Sequence, residues 1–346
     1  LALRLKSEDR NPGRNGQRAL EDEAGMIGLL TPQGALSALI AEYPFLENWG
    51  VGIVKQFEAG QGRISNAFLV SCQSSIAPVD CFVAKAASPH TVDSKGLVGE
   101  WRALRLAATA SARCPDLLAP DHGPERFLLL EFLPGTDAEH AIDHGAAAET
   151  VFGRIGETLR QVHAVEAPWF GSLRERSAGR WEDSISARIW PKLQALKEIL
   201  DPDLRDAAEA EVSASLPSLA LEPDVPRLMH RDVYLSNFLV SETLDSASIL
   251  DFGMAQGGRP FYDLAKLYIL DLYRYPNAKN EFLSAYFGGL KAPASFKPLL
   301  KLYLYVELLG MIRFFDMVGQ QAALDHAIRI LRELIQNRGR IVDLLD

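Results

Sequence analysis

His230-Arg231-Asp232-Val233-Tyr234-Leu235-Ser236-Asn237, followed shortly by Asp251-Phe252-Gly253, is the stretch on which the reading of this chain turns. Transfer of a phosphoryl group from ATP needs a carboxylate that orients the attacking hydroxyl and takes its proton. It also needs side-chain oxygens for the magnesium ions that bridge the phosphates. An Asp and an Asn five residues apart on one loop, facing an Asp at the end of a neighbouring strand, supply those parts. Asp232 is the candidate base, and Asn237 and Asp251 are the candidate metal ligands. Hard oxygen donors suit Mg²⁺, which keeps several waters and needs few protein groups.

Outward from this stretch the chain changes character along its length. Residues 51–58, 64–73 and 79–87 read as three consecutive strands separated by turn chemistry. A helix fits 93–110, with Leu97, Trp101, Leu104 and Ala108 recurring on one face. Short strands at 117–122 and 126–132 follow, and Pro134-Gly135 marks a break. Beyond it helices dominate, over 146–165, 181–200, 204–215, 261–273, 279–287, 294–318 and 322–337. Only around the quoted motifs do strands return, at 238–240 and 248–250. The expectation is an α+β chain of two lobes, a small antiparallel-sheet lobe over 26–133 and a larger helical lobe over 134–346. Residues 1–25 are polar and without periodicity, and the first methionine is Met26, so they read as a disordered or non-native tail.

The charge balance excludes some classes of function. A net charge of −9 argues against a nucleic-acid binder, which shows a basic face. Cys72, Cys81 and Cys114 form no CxxC or His/Cys cluster and read as reduced thiols of a cytoplasmic protein. The most apolar stretch, 302–315, is broken by Glu307 and Arg313, so no membrane span is expected. Oligomeric state is not legible.

Further motifs surround the first two: Gly62-x-x-x-Asn66-x-Phe68-x-Val70, Phe82-Val83-Ala84-Lys85, Glu100-x-x-Ala103-Leu104, Phe132-Leu133-Pro134-Gly135, Gly156-x-x-Leu159-x-x-x-His163 and Tyr262-Asp263-Leu264-Ala265. Together they resemble the aminoglycoside phosphotransferase and choline kinase superfamily, a branch of the kinase-like fold, over most of residues 45–340. The resemblance implies that Lys85 touches the α- and β-phosphates of ATP. Its carboxylate partner would come from the next helix, where Glu100 lies on the apolar side; Glu131 is a second candidate. The loop with Gly60, Gly62 and Ser65 is similar to a phosphate-covering loop, an ordinary hairpin turn being the alternative. Backbone groups near Glu131 and Leu133 would bind the adenine edge, and His230 and Asp263 would brace the catalytic loop.

The acceptor is read from what is missing. Only eleven residues separate Asp251 from Asp263 and no Ala-Pro-Glu motif follows, too little chain for a peptide platform. A small hydroxylated molecule is expected, of the aminoglycoside or amino-alcohol kind first. Arg231 stands where aminoglycoside kinases usually carry Gly, and with Tyr234-Leu235 it is closer to kinases of lipopolysaccharide sugars. A glycolipid sugar is therefore the second acceptor class. A nucleotide-binding pseudokinase is the alternative of another kind, opposed by the intact Lys85, Asp232, Asn237 and Asp251. Asp271, Glu281, Glu307 and Asp316 could line a pocket for a cation or form solvated helix faces.

Overall fold

The computed structural model describes residues 31–57, 65–87, 95–110, 112–176, 179–221 and 224–345. The segment 1–25 and the turn carrying Gly60 and Gly62 lie outside the described residues, and Ser65 is described by its backbone alone. The chain divides into two compact units, one of Leu1–Ser94 with Pro124–Phe132 and one of Lys95–Gly123 with Leu133–Asp346. The helix after the third strand thus falls in the larger unit, where a single boundary at 133 had assigned it to the smaller.

Among the described residues, the smaller unit is an antiparallel sheet with one long helix and a single-turn helix at Leu46–Trp49. β1 (Val51–Phe57), β2 (Ser65–Cys72), β3 (Cys81–Ala87) and β4 (Phe127–Glu131) lie in the order β1-β2-β3-β4. β3 is internal, pairing Lys85 with Ala67 on one side and Leu128 on the other. Its period-two alternation places Lys85 on the face opposite Phe82, Ala84 and Ala86. α1 (Pro32–Glu42) was not anticipated, although Thr31-Pro32 is a start signal: the Thr31 hydroxyl accepts the Gly34 N–H at 3.1 Å. At its other end the Glu42 carboxylate accepts the N–H groups of Glu125 at 2.9 Å and Arg126 at 3.0 Å, fixing the entry into β4.

The larger unit is built on helices. α2 (Lys95–Ala107) buries Leu97, Glu100, Ala103, Leu104 and Ala107, a helical stripe that includes a carboxylate. The strand expected at 117–122 does not form. Pro115 and Pro120 lack N–H donors, and the segment closes as a turn with His122 N–H on Ala119 O at 3.3 Å. α3 (Ala148–Ala164), α4 (Trp181–Ala195) and α5 (Pro202–Ser215) come next. Short strands then carry the motifs: β5 (Arg227–Met229) enters the His230 loop, β6 (Phe238–Val240) and β7 (Ala247–Ile249) pair before Asp251, and β8 (Gln256–Gly258) pairs back onto β5. α6 (Phe261–Leu267), α7 (Lys279–Tyr286), α8 (Phe296–Met317) and α9 (Gln321–Ile335) follow, with a short last helix at Arg340–Leu345. α8 is apolar nearly all round, with Leu302 to Val306 all buried, and packs against α4, α5, α6 and α9 as the core of the unit. Among the described residues no helix is long and apolar enough to cross a membrane, and Cys72, Cys81 and Cys114 form no disulfide.

The helix expected over 261–273 is α-helical only to Leu267 and continues as a π turn over Tyr268–Leu272. In a regular α-helix residues eight apart sit about 80° apart around the axis. The wider hydrogen-bond spacing of a π turn reduces the rotation per residue. Asp271 is thereby returned towards the side of the helix that carries Asp263, which matters below.

α3 and α7 meet at Gly156, where a Cβ would stand 2.6 Å from Phe282 O and 3.0 Å from Tyr286 N. Gly156→Ala would gain up to about 1 kcal/mol of helix propensity. Forcing the helices apart costs about 1–3 kcal/mol, since the obstacle is backbone. The net expectation is destabilisation, read as a fall of several degrees in the thermal midpoint; an unchanged or raised midpoint would show that the two helices yield freely.

Candidate active site

The His230–Asn237 loop is held by buried side chains from outside it. Asp263, buried on α6, accepts the N–H of His230 at 2.5 Å and of Arg231 at 2.9 Å. His163 of α3 donates from Nε2 to the same carboxylate at 3.2 Å, and its Nδ1 meets the Tyr286 hydroxyl at 2.9 Å. Burial by itself would raise the Asp263 carboxyl. The hydrogen bond and charge of His163, with the charge of Arg231, overcome this and hold it below the ordinary carboxylate range. Further along the loop, Asp271 accepts the Leu235 N–H at 3.0 Å.

The imidazole of His230 clamps the two motifs together. Its Nε2 donates to Leu250 O at 2.7 Å and its Nδ1 accepts the Asp232 N–H at 3.3 Å, so the ring is neutral with its proton on Nε2. Burial lowers the pKa of His230, in agreement with that state. The Leu250 N–H in turn donates to Asn237 O at 2.9 Å, so both backbone groups of the residue before Asp251 are held by the catalytic loop. The Phe252 ring lies edge-on to His230, with centroids 4.8 Å apart.

Asp232 points one oxygen at each of two donors. Asn237 Nδ2 donates to its Oδ2 at 3.1 Å and to its backbone carbonyl at 2.7 Å, while Lys266 Nζ makes a close ion pair with Oδ1. Because the Asn237 amide nitrogen is committed twice, its Oδ1 is the atom left to face a cation. Asp251 adopts a left-handed backbone, φ 64° and ψ 66°, with its Oδ1 accepting the Gly253 N–H at 3.4 Å. Among the described residues no cluster of three or more His, Cys, Asp or Glu could hold a metal by itself. The donor set is one amide oxygen and one carboxylate on adjoining loops, which fits a hydrated Mg²⁺ better than a metal that needs a full protein cage.

Arg231 also has a left-handed backbone, with φ 67°. Its side chain is nearly buried: Nη2 donates to Glu307 Oε2 at 3.2 Å, and the guanidinium lies 3.7 Å from the Tyr262 ring centroid. Although burial opposes it, the Arg231 charge leads the cations that hold Glu307 below its ordinary range.

The sequence-derived residues thus divide. His230, Asp232, Asn237, Asp251 and Asp263 are brought into one connected network. Lys85 is buried on β3 of the smaller unit, and Glu131 ends β4 there. Glu100, buried on α2, and Leu133 belong to the larger unit. Reading the sequence missed Lys266, three residues after Asp263 and hence on the same helix face, a signal that was present. It also missed Asp271 as a brace of the loop, and no local signal announces the π turn that places it.

Over residues 62–299 the chain matches the phosphotransferase enzyme family. The fold recurs in the crystal structure of aminoglycoside phosphotransferase APH(4)-Ia, at 15% identity and TM-score 0.61, covering 88% of this chain and 99% of that one. A thermostable mutant of that enzyme, in ternary complex with AMP-PNP and hygromycin B, is 17% identical with TM-score 0.59, covering 86% and 98%. A choline/ethanolamine kinase family protein from Mesorhizobium loti is 18% identical with TM-score 0.60, covering 94% and 99%. No match by sequence is found among curated proteins. A kinase-like α+β fold bearing these motifs is that of an ATP-binding transferase. The chain belongs to the phosphotransferase enzyme family.

Asp271 generates a test of the loop's support. Burial, foremost, pushes its carboxyl up to about 7, against the pull of the Leu235 N–H. In the unfolded chain it titrates near pH 4, so between about pH 4 and 7 the folded state binds the extra proton and stability falls as pH rises. Asp271→Asn keeps an acceptor for the Leu235 N–H and removes the titration. Unfolding free energies measured across that window should lose this downward component in the variant; an identical pH profile would show that Asp271 does not carry it.

Proposed function

We propose that the protein transfers the γ-phosphate of Mg-ATP to a hydroxyl of a small molecule. The observation that carries the reading is the Asp232 carboxylate, held between Asn237 and Lys266 on a loop whose backbone two buried carboxylates fix. In this reading Asp232 orients the acceptor hydroxyl and takes its proton as the phosphoryl group leaves ATP. Lys266 holds the carboxylate in its aim and balances charge beside the transferring group. Asn237 Oδ1 and Asp251 would hold Mg²⁺, whose part when bound is to neutralise the phosphates. Lys85 contacts the α- and β-phosphates. The Gly60, Gly62 and Ser65 loop covers them, and backbone groups near Glu131 and Leu133 receive the adenine. His230 and Asp263 brace the loop and take no part in proton transfer. A cytoplasmic setting, where ATP is at hand, accords with this.

A small acceptor is supported by the short path from Asp251 to α6. A 3₁₀ turn at Phe252–Met254 and strand β8 occupy it almost wholly, leaving no free segment on which a peptide could lie. A protein of this fold, the APH(4)-Ia mutant, holds AMP-PNP and hygromycin B together.

Two substitutions separate the roles. Asp232→Asn should lower turnover at least about a hundredfold while ATP affinity stays within a few-fold, because the carboxylate acts on the acceptor. Calorimetric ATP titration beside steady-state kinetics measures both, and near-normal turnover would remove Asp232 from the role. Asp251→Ala should weaken Mg-ATP about tenfold or more and magnesium-free ATP hardly at all. Equal losses would make Asp251 structural. Retained Mg-ATP binding with no transfer to any small molecule or peptide would favour the pseudokinase.

A further inference from the structure

We propose that the acceptor carries an oxyanion, a carboxylate or phosphate, near the hydroxyl that is phosphorylated, and that Lys192 and Arg188 of α4 recognise it. The inference rests on Asp232 being the base.

The first ground is how charge is paired about the His230–Asn237 loop, where the acids Asp232, Asp263 and Glu307 already have cations. Lys266 is spent on Asp232, and Arg231 on Glu307 and Asp263. Among the described residues, Arg188 and Lys192 have no carboxylate within ion-pair distance. Arg188 Nη2 donates to Gln256 Oε1 at 2.7 Å, and its guanidinium lies 5.7 Å from the Tyr262 ring centroid. Lys192 Nζ reaches α8, donating to Val306 O at 3.3 Å. It occupies a notch left by Gly310, where a Cβ would stand 2.7 Å from the ammonium. An ammonium has three donor hydrogens, and the carbonyl takes one.

Lys192 is poorly served by its surroundings. Burial foremost brings it down to about 8, and the charges of Arg188, Arg231 and Arg313 push the same way against Glu307. A lysine held among cations in a semi-buried notch is costly in the free protein and gains most from an arriving anion.

The second ground is independent of charge. Gln256 Nε2 is buried without a hydrogen-bond partner, although its Oε1 holds Arg188. Arg231 Nη1 stands 3.8 Å from Asp263 Oδ1, and the Tyr262 hydroxyl has Arg188 beside it. Oxyanion oxygens, directly or through an ordered water, accept from such groups; an ammonium on the acceptor could only compete with them.

Of the acids that might have received a cationic acceptor, Glu307 pairs with Arg231 and Asp271 with the Leu235 N–H, while Glu281 is exposed on α7. Asp316 stands exposed near the end of α8.

The test uses the full chain with Mg-ATP and hydroxyl acceptors of similar size: inositol, glucosamine, gluconate and glucose 6-phosphate. ADP release is measured and the added phosphate located by mass spectrometry. Turnover is expected with gluconate or glucose 6-phosphate, the two arms telling a carboxylate site from a phosphate site. Lys192→Met and Arg188→Met should raise the acceptor KM about tenfold or more, with the KM for ATP within about twofold. Lys192→Arg should retain most of the acceptor affinity. Met fits the stem of the buried lysine, and thermal midpoints confirm that each variant folds. Turnover confined to glucosamine, an unchanged acceptor KM in both Met variants, or no turnover with either anionic compound would overturn the proposal. Asp232→Asn run in parallel separates the two readings. If it abolishes transfer to glucosamine, the base stands and the anion site fails; if it retains transfer, the base assignment itself fails.

Discussion

Asp263 lies almost entirely out of water and still carries its charge, because every side of its carboxylate is met by a donor. Two are backbone N–H groups of the catalytic loop, the third is His163, and the Arg231 guanidinium stands 3.8 Å away. Removing such a charge from water costs several kcal/mol, and this geometry is what repays it. The surrounding structure follows from that requirement. His163 must be presented by α3, and its own orientation depends on Tyr286 of α7, whose approach depends on the bare backbone at Gly156. Arg231 must reach inward, and its remaining charge is then met by Glu307 of α8.

The same economy explains two strained residues. Arg231 and Asp251 both sit at positive φ, which costs an ordinary residue roughly 1–2 kcal/mol. At Arg231 a glycine would avoid the strain, but it would lose the ion pair with Glu307 and the stacking on Tyr262. At Asp251 the strain turns the carboxylate at the end of β7, where His230 and Asn237 grip both backbone groups of Leu250. Strain of this kind persists where neighbours over-determine the conformation, and it gathers at functional loops.

Electrostatics divides the larger unit into layers. Beneath the loop, Asp263 is ionised and His230 neutral; Asp271, with a single backbone donor, is held near neutrality in pKa by burial. Beside the loop stand cations, Lys266 on the base and Lys192 and Arg188 further out.

The order of most elements, and the two motifs that carry Asp232, Asn237 and Asp251, were legible from residue types and local spacing. A loop of eight residues between short strands fixes which side chains it can offer. The outline of α3, α4, α8 and α9 was legible for the same reason, since helical periodicity is a local property. The strand expected at 117–122 failed because two prolines outweighed its apolar pattern, and the π turn was hidden because Tyr268–Leu272 reads locally as ordinary helix. The bracing role of Asp271, the pairing of Arg231 with Glu307 and the placing of Lys192 on the Val306 carbonyl came from tertiary structure alone. Each depends on which distant side chain is packed alongside, and a charge becomes ligand, brace or solvated surface only when folding decides what stands within a few ångströms of it.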